Sequence, residues 1–131
     1  MSSLRRTRWV TGPLALFDLG LGLGAAVRPE IYLSLMHAAT GPEEAFLLRR
    51  TGVIWLFFAV AEAAAFRWGE RRPEAVFLVA MLRWMDVPAD ALYWATATDL
   101  TGFGWIALAF TPVFNLAVGA WLYHAWNRRS A

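Results

Sequence analysis

Hydrophobic side chains run through this sequence in four long blocks, at residues 9–27, 51–68, 74–97 and 103–126, with polar and charged residues gathered between them. Each block approaches the roughly 20 residues that a helix needs to cross a hydrocarbon layer of about 30 Å. The pattern predicts an all-α protein, an integral membrane bundle of four transmembrane helices forming one domain over residues 1–131. Between the first two blocks, Pro29 followed by Glu30 opens a short helix through Ile31, Leu35 and Met36. Proline fits the first helical turn and an acid there complements the helix dipole. This helix, between the first and second spans, is expected to lie along the outer membrane interface. A second start signal, Thr40-Gly41-Pro42-Glu43-Glu44, places the beginning of the second long helix near Pro42.

Arginine placement orients the blocks. Arg5, Arg6 and Arg8 precede the first, Arg67, Arg71 and Arg72 separate the second from the third, and Arg128 and Arg129 follow the fourth. Only Arg28, Arg49 and Arg50 lie at the other end. A bias of positive charge toward the inner side then predicts a multi-pass cell-membrane protein with both termini in the cytoplasm.

Composition agrees with that picture and removes several chemistries. The chain is 59% hydrophobic and 17% charged, with a mean hydropathy of +0.44. Its net charge of +2 comes from arginine alone, gathered at the ends of apolar blocks, which is a topology signal and not a nucleic-acid patch. Cysteine is absent, which excludes disulfides, thiolate metal sites and cysteine nucleophiles. His37 and His124 fall at opposite ends, so no shared haem or metal is expected and no cofactor is implied.

Charges inside the apolar blocks are the main functional clue. Asp18, Glu62, Arg83, Asp86 and Asn115 form an inner polar layer within the apolar blocks, and Asp90 lies nearer the outer end. Arg83, Asp86 and Asp90 share a helix sector of about 60°. Facing lipid would cost several kcal/mol, so the stripe should point into the bundle. Arg83 has Asp86 at spacing i, i+3 and Glu62 and Asp18 at similar depth; Glu62 is the expected partner. Arg49 and Arg50 enter near the depth of Asp90 and form an expected outer gate or ion pair there. Four acids then meet three arginines, and the leftover carboxylate should hold a proton or bind a cation or cationic ligand. Paired charges also serve simply to fix which helix packs on which. Pro88 and Pro112 free backbone carbonyls close to these groups. Gly20, Gly22 and Gly24 would allow close helix approach or a homodimer through Gly20 and Gly24.

Leu48-Arg49-Arg50-Thr51-Gly52 entering the second block and Leu82-Arg83-Trp84-Met85-Asp86 in the third, with the four-span layout, resemble the small DoxX-like membrane proteins. That group includes membrane subunits associated with quinone-linked oxidoreductases. The resemblance implies no particular catalytic residue. Three functions are compatible with these features: a small accessory or ligand-binding subunit with a charged intramembrane core; a proton or cation pathway through Asp90, Asp86 and Glu62; and an intramembrane isomerase whose carboxylates and tryptophans stabilise a carbocation. The first, which is not an enzyme, is preferred. The expected partners are the lipid bilayer, a membrane complex or second copy, and a small hydrophobic or cationic ligand.

Overall fold

The computed structural model describes residues 3–39 and 41–128 and contains five helices: α1 (Ser3–Val27), α2 (Pro29–Met36), α3 (Pro42–Trp68), α4 (Pro73–Thr96) and α5 (Gly102–Asn127). Thr40 of the predicted helix start and the flanking Arg129 lie outside the described residues.

The helix starts follow from local chemistry. Pro29, Pro42 and Pro73 occupy first-turn positions, where a missing N–H costs nothing. Each is followed by an acid, Glu30, Glu43 with Glu44, and Glu74, placed against the positive end of the helix. The Glu44 carboxylate also turns back to accept the Gly41 N–H at 2.8 Å. At α5 the Thr101 side chain accepts the Gly104 N–H at 3.0 Å and satisfies one donor of the first turn. α1, α4 and α5 continue through Pro13, Pro88 and Pro112.

Two antiparallel pairs make up the domain. In the first, Gly12 of α1 lies against Phe66 of α3, and Gly22 lies against Gly52 and Leu56. A Cβ on Gly22 would come within 2.8 Å of the Gly52 carbonyl, and one on Gly52 within 2.7 Å of the Ala26 nitrogen, so this crossing needs glycine on both helices. In the second pair Trp84 of α4 covers Gly119 of α5, and Phe77 packs on Trp126 with ring centroids 4.7 Å apart. Leu4, Ala65, Val76, Val79, Ala80 and Leu122 form the core that joins the pairs. At the opposite end α2 is pinned across the α4–α5 connection: Ala38 N–H donates to Asp99 O at 2.7 Å and Thr101 N–H to Met36 O at 3.0 Å. Asp99 turns this connection in the left-handed region, with φ of 55°.

The chain does not form the predicted membrane bundle of four transmembrane helices. It is an all-α domain of five helices, and two of them, α1 and α5, are long and apolar enough to cross a membrane. Length and apolarity in two helices, one near the N-terminus, do not establish a multi-pass protein, because core helices and signal sequences meet the same condition. α4 carries Arg83, Asp86 and Asp90 in its middle, and α3 carries Glu62. These charges are used inside the domain. With the four spans go the supports for the lipid bilayer as partner, for a membrane complex and for a cell-membrane location with cytoplasmic termini. The long helices nonetheless turn large apolar side chains outward, among them Trp9, Leu16, Phe46 and Ile106. The expected homodimer through Gly20 and Gly24 rested on helix packing in a membrane and goes with the four spans. A Cβ at either would meet nothing within 4 Å, and the glycine that mediates helix contact is Gly22, within the chain.

Candidate functional site: a buried charge cluster

The four long helices each send a polar side chain to one region of the core. Asp18 from α1, Glu62 from α3, Arg83 from α4 and Asn115 from α5 are 2%, 1%, 3% and 1% exposed. Arg83 is the hub. Its Nη2 donates to Asp18 Oδ2 at 2.5 Å and also to Glu62 Oε1, while Nη1 donates to Asn115 Oδ1 at 3.3 Å. The guanidinium sits 5.9 Å from the centre of the Phe58 ring. Two atoms in this inner layer lack a partner, Glu62 Oε2 and Arg83 Nε.

A second layer lies beside it. Asn115 Nδ2 donates to Asp86 Oδ2 at 3.2 Å and is 3.4 Å from Asp90 Oδ2. Both aspartates are only partly buried. Tyr93 follows Asp90 by one further helical step and contacts the His37 ring through its hydroxyl; His37 Nδ1 is 3.1 Å from the Thr98 carbonyl. Tyr32 of α2 packs against Trp55 with tilted rings, their centroids 5.7 Å apart. Burial first, then the neighbouring Tyr93, Asp18 and Asp90, raises the Tyr32 phenol above its ordinary value.

All six predicted core residues therefore meet. Arg83 takes Asp18 as well as the expected Glu62. The outer pair does not form as predicted, because Arg49 reaches Glu30 at 3.5 Å on the surface and Asp90 turns to Asn115. Without Arg49 and Arg50, one guanidinium faces four carboxylates. Tyr32, Tyr93 and His37 are additions that the charge search missed. Tyr93 was findable, since 83, 86, 90 and 93 continue one helical stripe.

Electrostatics follow from that imbalance. Burial raises Glu62 to about 8, opposed by Arg83 and aided by the Asp18 charge. Asp18 is also raised by burial, with Arg83 holding it down. Burial raises Asp86 against the pull of Arg83. Burial and then Asp86 raise Asp90 to about 6. Among the described residues no three His, Asp or Glu side chains are grouped to hold a metal ion.

Three expected functions are corrected by this geometry. An acid ladder from Asp90 through Asp86 to Glu62 is interrupted, because both aspartates converge on Asn115 while Glu62 ends on Arg83. An isomerase or a binder of a hydrophobic or cationic ligand needs open space beside the carboxylates. Asp18 and Glu62 instead close on Arg83, and two surface grooves lie elsewhere, at Pro42–Leu47 and around Arg8. In place of an intramembrane core for an accessory subunit, the charges make an internal salt-bridge network. No protein-family model, curated protein or solved structure matches this chain, so the DoxX-like resemblance has no support beyond the layout that the five helices replace.

Proposed function

We propose that this chain is a proton-responsive helical domain whose working part is the cluster of Asp18, Glu62, Arg83, Asp86, Asp90 and Asn115. The carrying observation is one buried guanidinium shared by Asp18 and Glu62. One positive charge cannot balance both buried acids, and an uncompensated carboxylate away from water holds its proton instead of its charge. Glu62 is the holder, since half of its carboxyl group has no partner. At neutral pH the inner layer is then Arg83 and Asp18 as the charged pair, with Glu62 neutral beside them.

The sign of the pH effect follows by linkage. The Glu62 pKa is higher in the folded chain, about 8, than its ordinary 4.5. Folding therefore takes up a proton between those values, and stability declines as pH rises through that window. Its contribution is fully present below 4.5 and gone above about 8. Ionisation loosens the point where four helices meet, so a proton reports directly on how tightly the domain is held.

Infrared difference spectra of the purified chain, recorded as pH is raised through about 8, test the assignment. A protonated carboxyl band should disappear in that range and should be missing from Glu62→Gln. A band unchanged in Glu62→Gln would assign the proton elsewhere, and no band at all would refute a proton-holding cluster.

A further inference from the structure

At the end of the domain away from α2, three arginines border one groove. It has a volume of about 210 Å³ and is lined by Arg8, Phe66, Arg67, Glu70 and Arg71, drawn from α1, α3 and the turn that follows α3. Arg8 is fixed in place. Its Nε donates to the Phe66 carbonyl at 2.8 Å, its guanidinium lies 5.1 Å from the Phe66 ring centre, and its Nη1 is 3.7 Å from Glu70 Oε1. Arg67 and Arg71 differ: neither side chain has a hydrogen bond or ion pair among the described residues.

Arginines at the C-terminal end of a helix have a simpler role, complementing the negative end of the dipole. Arg8 already serves that need by bonding the Phe66 carbonyl in the last turn of α3. Arg71 lies beyond the helix, past the C-cap Gly69, where the dipole effect has faded. Arg67 in the last turn of α3 and Arg71 beyond it thus both keep their guanidinium donors open beside a third guanidinium that is preset. Three positive charges against Glu70 leave two in excess around one small volume.

We infer that this groove is a binding site for a phosphate dianion, either free or as the terminal phosphate of a phosphomonoester. The charge of such a group matches the excess, and its tetrahedral oxygens accept from several guanidinium forks at once. The volume is below the roughly 300–1,000 Å³ of drug-sized sites, which fits one compact anionic group. Phe66 provides an apolar wall on one side. Glu70 limits affinity by competing for Arg8.

Calorimetric titration of the full chain with inorganic phosphate tests the site, with a water-soluble short-chain phosphatidic acid as a second probe. Saturable binding of either probe is expected, weakening with added chloride and strengthening as the phosphate group loses its second proton. Binding of both at similar strength identifies free phosphate as sufficient; binding of the lipid alone identifies a phospholipid headgroup as the source. Arg67→Gln with Arg71→Gln should weaken binding at least about tenfold. Its thermal midpoint should stay unchanged, since neither side chain holds the fold. Glu70→Gln should tighten binding. Absence of saturable binding by both probes, or a double variant that binds like the parent, overturns the site.

Discussion

The two layers of the charge cluster are made of the same residue types and behave differently. In the inner layer Asp18 and Glu62 are shut away from solvent and both close on Arg83. In the outer layer Asp86 and Asp90 have only the neutral amide of Asn115 between them and remain partly exposed. A buried acid needs a full opposite charge or a proton, whereas a partly hydrated one manages with a dipole and water. Asn115 belongs to both layers, donating outward through Nδ2 and accepting from Arg83 through Oδ1.

Removing Arg83 is the most severe way to break this contrast. Arg83→Met leaves the buried Asp18 carboxylate with no counter-charge and Glu62 without its donor, and breaking a buried ion pair from one side costs about 3–5 kcal/mol. Urea unfolding at neutral pH should show a loss of that size. A loss below about 1 kcal/mol, the value of exposed pairs, would mean that the inner layer is not the tie between helices.

Asn115→Ala comes next, because it removes a shared partner from both layers. Arg83 Nη1 loses its acceptor and Asp86 its donor, and each unsatisfied buried group costs about 1–3 kcal/mol. The loss should be smaller than for Arg83→Met, because water reaches the outer aspartates. Equal losses in the two variants would erase the distinction between the layers.

Glu62→Gln sharpens the comparison more than it damages the fold. Glutamine resembles the protonated acid in shape and neutrality, so stability near neutral pH should change by no more than about 1 kcal/mol. What should vanish is the decline in stability between about pH 6, where the Asp90 contribution ends, and about 8, visible in unfolding midpoints across that range. A decline that persists in Glu62→Gln would mean that another group takes up the proton on folding.

How much of this was legible in the sequence depends on what each residue's position determines. Asp18, Glu62, Arg83 and Asn115 stand out because each interrupts an apolar helix, and a polar group there must face its neighbours and not the outside. Helical periodicity also puts Arg83, Asp86 and Asp90 on one stripe, and the structure keeps them together. Depth along a helix does not fix its rotation, which is why Arg49 and Arg50 were matched to Asp90. Arg49 instead faces α2 and meets Glu30. The same limit hid the equal claim of Asp18 on Arg83. Apolar blocks were read as spans because length and hydropathy do not reveal what a helix packs against. Glycine roles divided similarly: Gly22 makes the crossing with Gly52, whereas a Cβ at Gly20 or Gly24, in the same run, would meet nothing within 4 Å.

The smallest effect is expected at Asp90, and it is the most direct measure of how open the outer layer is. Its folded pKa, raised by burial and by Asp86, is about 6 against an ordinary 3.8. Folding takes up a proton between those values, so this contribution is present below 3.8 and is lost as pH rises through about 6. Asp90→Asn should therefore make the stability profile less steep between 3.8 and about 6, where only the Glu62 decline that begins at 4.5 is left, and leave the decline from about 6 to about 8 intact. At neutral pH the variant removes repulsion between Asp90 and Asp86, so its unfolding midpoint should equal or slightly exceed that of the parent, within about 0.5 kcal/mol. A clear loss of stability at neutral pH would mean that the Asp90 carboxylate is a required acceptor for Asn115. The outer layer would then be as closed as the inner one.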